Sequence, residues 1–255
     1  MKKALLCAAL MLGFHFATAQ QVENEGKGYH INGNVSVTNN GFSFIPLFTL
    51  GKPATIANLS IGGERFSFEP QFRFDLDGLK PWSFIFMWRY NLIQTDRFLL
   101  KPGLHFPAMA FSEQTVDVEG VTKDQVVPAR FFTPELTTAY TLTEHITAGT
   151  YYILGLGLEK VGQTKRTNFI SLRAGFSRIP LVKQIYFNWN PEVYYLNLDG
   201  TGGFYAAHTL SISHEKVPLS IATTMNVKLR SDIETKDFDW NISLVYSFTN
   251  QLVRK

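Results

Sequence analysis

Charged residues recur in this chain at even spacings, so that a strand would turn them to one face. Arg65, Arg73, Arg89, Lys101, Arg173 and Lys228 supply the cations, and Glu69, Asp75, Glu135, Glu159, Glu192 and Asp239 the anions. Such a set can line a polar pathway or binding site for a small hydrophilic solute, with the charges setting selectivity. It can equally pair off and pack a closed interior, because desolvated charges need partners. Other chemistries find less footing. Cys7 is the only cysteine and lies in the N-terminal apolar segment, which leaves no thiol, disulfide or zinc cluster beyond it. Asp75-Leu76-Asp77-Gly78 begins like a calcium loop but lacks the later ligands, so a turn is expected and no metal site. The formal charge of +3 is evenly spread, and no aromatic-and-basic motif accompanies it, which argues against nucleic acid. No cofactor is implied.

The elements that must carry these charges are strands. From Arg65 to Asp75 the even positions hold Phe66, Phe68, Phe72 and Phe74, with Pro70 among them. The odd positions hold Arg65, Ser67, Glu69, Gln71, Arg73 and Asp75. Period two places these sets on opposite faces. Trp82, Phe84, Phe86, Trp88 and Tyr90 likewise oppose Ser83, Met87, Arg89 and Asn91. Ile170 and Leu172 oppose Ser171 and Arg173. Trp189, Val193 and Tyr195 oppose Asn190, Glu192 and Tyr194. Leu219, Ile221, Val227 and Leu229 oppose Ser220, Asn226 and Lys228, and Phe238 to Phe248 alternate with Asp239 to Ser247.

The chain is 14% aromatic, yet its mean hydropathy is near zero. Apolar residues at every second position, rich in Phe, Tyr and Trp, are what a transmembrane β-barrel requires, with the apolar face toward lipid and the charged face toward the lumen. A one-residue slip would put Arg65 and Arg73 into lipid at ~2–4 kcal/mol each near the midplane. Trp82, Trp88, Trp189 and Trp240 read as an interfacial girdle.

About twelve strands are expected, an even number as bacterial single-chain barrels have. Their centres are Val35, Ile45, Phe68, Phe86, Leu104, Leu136, Tyr152, Leu172, Trp189, Leu210, Thr223 and Leu244. Connections alternate short and long. The long set is Phe111 to Val127, Glu159 to Thr167, Asn197 to Gly203 and Arg230 to Asp237, and this places both termini on the periplasmic side. Two connections break the alternation: Asp75 to Pro81 is short on the outer side, and Gly51 to Glu64 is anomalous, a long connection on the short-turn side. Pro46, Pro70, Pro102, Pro134 and Pro191 fall inside expected strands, so bulges are expected near several of them. At the N-terminus, Lys2 and Lys3, an apolar run from Ala4 to Phe16, and Ala17-Thr18-Ala19 make a signal peptide over 1–19.

The final alternating strand, Phe238 to Phe248, resembles the C-terminal signature of outer-membrane barrels, although Thr249 to Lys255 follow it. That resemblance implies recognition by the barrel insertion machinery. Phe68 to Tyr90 is similar to uncharacterised outer-membrane proteins of this size, a likeness that brings topology and no activity. Outer-membrane phospholipases carry a lipid-facing Ser and His two residues apart. Here His208 shares its face with Leu210 and Ile212, while Ser211 and Ser213 fall opposite. His105 faces the lumen beside Gly103. A nucleophile with its base in reach is not evident, so no catalytic residue is assigned.

The sequence therefore predicts an all-β chain in the outer membrane of a Gram-negative bacterium. A cleaved signal peptide precedes one closed antiparallel barrel over 20–255. The expected function is a narrow, porin-like channel or uptake site for small polar solutes. Its pathway would be lined by Arg65, Glu69, Arg73, Arg89, Lys101, Glu135, Arg173, Glu192 and Lys228. The alternatives are a closed barrel acting through the loop 111–127, and a lipid-modifying enzyme. Expected partners are outer-membrane lipid, the insertion machinery and small polar solutes.

Overall fold

Residues 29–118, 121–159 and 163–252 are described in a computed structural model of the protein. The expected signal peptide lies outside them. The strands are β1 (Tyr29–Thr38), β2 (Ala54–Gly62), β3 (Phe66–Asp75), β4 (Pro81–Tyr90), β5 (Ile93–Gln94), β6 (Phe98–Val118) and β7 (Val121–Thr143). They continue with β8 (Ile146–Gly157), β9 (Arg166–Val182), β10 (Ile185–Leu198), β11 (Thr201–His214), β12 (Val217–Ser231), β13 (Phe238–Trp240) and β14 (Ser243–Leu252). Each pairs antiparallel with its neighbour, and β1 pairs both β2 and β14, so the sheet closes on itself. The two-residue β5 continues the β4 stave and β13 leads into β14, which leaves twelve staves.

The period-two pattern dictates the faces. Leu172, Ile221, Leu229 and Leu244 are outward and exposed, whereas Glu69, Arg73, Glu135 and Glu192 are turned inward and buried. β6 and β7 run 21 and 23 residues. A tilted strand needs only ~9–11 residues to cross a membrane, so their hairpin extends beyond the barrel. The loop expected over Phe111 to Val127 is thus largely paired strand, from Phe111↔Pro128 to Val118↔Val121.

A second departure lies near the start. No strand is centred on Ile45. The stave that follows β1 is β2, inside the stretch 51–64 that had been an anomalously long connection. With β2 in place, Gly63 to Arg65 becomes a short turn at the same end as the termini, and 39–53 becomes a long connection at the far end. The anomaly disappears.

Segment 39–53 folds back into the barrel as a small hairpin. Phe42 bridges Thr49, and the Phe48 amide donates to the Ile45 carbonyl at 2.9 Å across Pro46-Leu47. Ile45 and Pro46 are almost wholly buried. Ile45 packs on an apolar patch on the inner wall of β8 to β11, made by Tyr151, Ile153, Phe169, Tyr194, Leu196 and Tyr205. An apolar run of this length would be a lipid-facing strand in most barrels. Here the inner wall offers it an apolar partner, and burying one Ile side chain contributes ~1.5–3 kcal/mol. Polar ties fix the hairpin's base: Asn40 Nδ2 donates to Asp239 Oδ1 at 3.0 Å, and Thr49 Oγ1 to Asp239 Oδ2 at 3.1 Å.

Prolines disturb the ladder less than expected. Across Pro134 and Pro191 the register resumes unchanged, while a bulge sits between His105 and Ala108, beside Pro107.

Candidate functional site in the lumen

The inward charges of β3, β4, β7, β9 and β10 meet in one network. Glu135 is its hub. Arg89 Nε donates to Glu135 Oε1 at 2.5 Å and Arg89 Nη2 to Oε2 at 3.1 Å; His105 Nε2 lies 2.7 Å from Oε2, and the Tyr151 hydroxyl donates to the same oxygen. Arg89 Nη1 also donates to Glu69, whose other oxygen accepts from Ser67 at 2.8 Å. On the other side of Tyr151, the Arg173 guanidinium stands 4.1 Å from the ring centroid and its Nε donates to Glu192 at 2.6 Å. Charge-assisted contacts of this kind are the strong ones.

The cross-strand register explains why Arg89 and Glu135 meet although they are two strands apart. Both pair with Gly103 on β6. A Cβ on Gly103 would stand 2.5 Å from Glu135 Oε1 and 3.1 Å from Arg89 Cγ. The glycine leaves the gap through which the two side chains join.

The expected site residues thus divide. Glu69, Arg89, Glu135, Arg173 and Glu192 come together. Lys101 is buried on β6, paired with Thr137 on the inner face. Arg73 is inward but stands apart from this network. Lys228 sits at the far rim, 2.5 Å from Asp237 Oδ1. Arg65 does not line the lumen: it lies in the exposed turn before β3, where its Nη1 donates to the Tyr90 hydroxyl at 3.4 Å. The strand begins one residue later than the alternation suggested. Glu159 is also at the far rim, where the Arg130 guanidinium, 2.7 Å away, holds its carboxyl below the usual range. Asp75 to Gly78 form the expected turn, with Asp75 Oδ1 accepting from the Asp77 amide at 2.8 Å.

Trp82 is a correction of another kind. Alternation put it on the lipid face with Phe84. A register shift between Arg73↔Ser83 and Phe74↔Pro81 leaves Trp82 as the extra residue of a bulge. Bulges re-aim side chains, and here the indole turns inward, 5.3 Å from the Arg73 guanidinium.

Among the described residues, three lumenal cavities border the inward hairpin. The largest of these, about 290 Å³, lies between the hairpin and the inner wall from β3 to β9. A second of about 80 Å³ faces β1 to β3 and β11 to β14, with Asn34, Ser36, Asn58, Gln71 and Thr224 in its wall. A third of about 40 Å³ reaches Glu69, Arg89, Tyr151 and Arg173. Along β3 the walls descend in order: Arg73 borders the first two, Gln71 the second and third, and Glu69 the third. Phe44, on the hairpin arm just before its Pro46-Leu47 turn, lines all three. Sequence reasoning missed Phe44. The available signal was the apolar inner positions of β8 to β11, which break the polar-inside rule and need a partner.

The histidines are dispersed. His208 is on the lipid face, its ring 6.1 Å from Trp189, while Ser211 faces the lumen and accepts from Asn188 at 3.1 Å. His30 Nε2 and Ser60 Oγ lie 3.2 Å apart on the inner wall, away from lipid.

Among solved structures, the KdgM porin in complex with disordered oligogalacturonate shares 10% identity. It matches over 86% of this chain and 99% of its own, with a TM-score of 0.50. The fold is that of a bacterial outer-membrane β-barrel. The β domain of the Bordetella autotransporter BrkA aligns with this barrel at 8% identity, over 89% of this chain and all of its own, with a TM-score of 0.42. In-vitro folded OmpT, an outer-membrane protein of Vibrio cholerae, aligns at 9% identity over 90% and 100%, with a TM-score of 0.38. No protein-family model and no curated protein matches the barrel.

Proposed function

We propose that the protein is a narrow outer-membrane channel for small polar solutes, stoppered by the inward hairpin 39–53. The observation that carries this is the meeting of three cavities at Phe44. A filled barrel has no need of a chain of cavities descending past polar side chains to a network of charges. The polar side chains in the walls of the second and third cavities suit water and small hydrophilic molecules, and Arg89 and Arg173 at the smallest one are placed to bias ion passage. The termini are assigned to the periplasm, because 144–145, 183–184 and 215–216 are short turns at their end while the long connections 39–53 and 232–237 lie at the other, where 199–200 is a short exception. The final alternating strand suits delivery by the barrel insertion machinery. A hydrolase is disfavoured, since the phospholipase arrangement of lipid-facing Ser and His does not form around His208.

Liposome swelling tests the reading. Vesicles carrying the refolded barrel should swell in a small neutral solute such as glycine and resist a trisaccharide. No swelling in either, with the barrel shown to be folded and inserted, would sink the proposal.

A further inference from the structure

We infer that the cavity of about 290 Å³ is a binding site for a small monocarboxylate with a compact apolar body, its carboxylate held by Arg73.

Arg73 is 2% exposed and stands apart from the charge network. Among the described residues it makes no ion pair. Its Nη1 donates to Ser43 Oγ at 3.2 Å and Ser83 Oγ at 3.1 Å, and its Nε has no hydrogen-bond partner. The acid nearest on its own strand face, Asp75, is engaged by Lys52 at 3.4 Å. A buried guanidinium that meets two neutral hydroxyls is short of the anion that burial calls for, since removing a charge from water is costly without a partner. Arg is also the side chain whose planar fork matches a carboxylate.

The surroundings define the rest of the ligand. The cavity wall is mostly apolar, with Phe44, Ile45, Trp82, Ile85, Phe131 and Ile153 around it. Phe44 and Trp82 flank the cation at 5.5 and 5.3 Å from their ring centroids. A ring or short branched chain would fill this space while its carboxylate reached the guanidinium. Apolar walls with few, well-placed polar groups are the general form of small-molecule sites. The volume is at the small end of the ~300–1,000 Å³ range of such pockets, which limits the occupant to a small molecule. The inferred way in is past Phe48, which lines the cavity and is 37% exposed. The bulge that turns Trp82 inward and the hairpin that brings Ser43 and Phe44 both build this one site. The inference does not depend on conduction, because binding is measured on the barrel in detergent.

The probe is phenylacetate, compared with neutral phenylacetamide, titrated by calorimetry into the refolded full barrel. Phenylacetate should bind saturably and roughly tenfold or more tighter than the amide, as the loss of a charge-assisted contact implies. Arg73→Gln should reduce phenylacetate to the amide's level. Ala108→Phe, which fills the cavity without touching Arg73, should abolish binding of both. Should Arg73→Gln fail to fold, the acid–amide comparison and Ala108→Phe carry the test. Equal binding of acid and amide, or binding that survives Ala108→Phe, would overturn the inference.

Discussion

Glu135 accepts from Arg89, His105 and Tyr151 at once and has no exposed side-chain surface. Removing it leaves Arg89 without its bidentate partner, and breaking one side of a buried pair costs ~3–5 kcal/mol. Glu135→Ala should therefore lower unfolding stability in urea by about that amount. Because the two residues act as a unit, adding Arg89→Ala should cost less than the sum of the single changes; additive losses would show that the pair is not coupled. Arg89→Ala and Arg173→Ala should each shift reversal potentials toward cation preference, since each removes a cation from the wall of the smallest cavity. Unchanged selectivity in both would count against conduction along this path. Most of this network was legible, because alternation alone put Glu69, Arg89, Glu135, Arg173 and Glu192 on one face. Which of them would meet was not. That depends on Gly103 standing between two staves, a register fact that no single strand reveals. Arg65 misled because the alternation extends one residue past the strand into the turn.

The inward hairpin is the element that converts a barrel into a stoppered one. Its apolar residues run without strict alternation from Phe42 to Phe48, with Pro46 inside. Read locally, that is a strand of ordinary length. Read with the inner wall of β8 to β11, it is the missing half of an apolar contact. Local pattern cannot decide between lipid and lumen for such a run, because both are apolar environments. Ile45→Asp should unseat it: an unpaired carboxylate among Tyr151, Phe169 and Leu196 is unfavourable. Accelerated proteolysis within 39–53, with the barrel still migrating as a folded species in cold electrophoresis, is the expected result. Protection equal to that of the unaltered chain would mean that the contact does not hold the hairpin. Trp82 shows the same limit on a smaller scale, since one bulge reverses a face that alternation assigns.

For the whole molecule, closure between β1 and β14 makes the outer surface one continuous apolar belt. Leu244 is 55% exposed on that belt. Leu244→Arg should cost ~2–4 kcal/mol if it lies near the midplane and less near an interface, read as reduced folding into vesicles. The neighbouring Val245→Arg points inward and is wholly buried in the lumen, so its effect would come through packing rather than lipid. The closed twelve-stave architecture was the most legible level of all. It rests on period two repeated along the chain, and a misplaced second stave did not alter the count.

The central claim is that Phe44 stoppers a continuous lumen, and single-channel recording in planar bilayers tests it most directly. The unaltered protein should give small, reproducible steps, and Phe44→Ala, which joins the three cavities, should raise step size several-fold without changing the barrel's folded mobility. Steps of equal size in both proteins, or silence from an inserted Phe44→Ala barrel, would contradict the account.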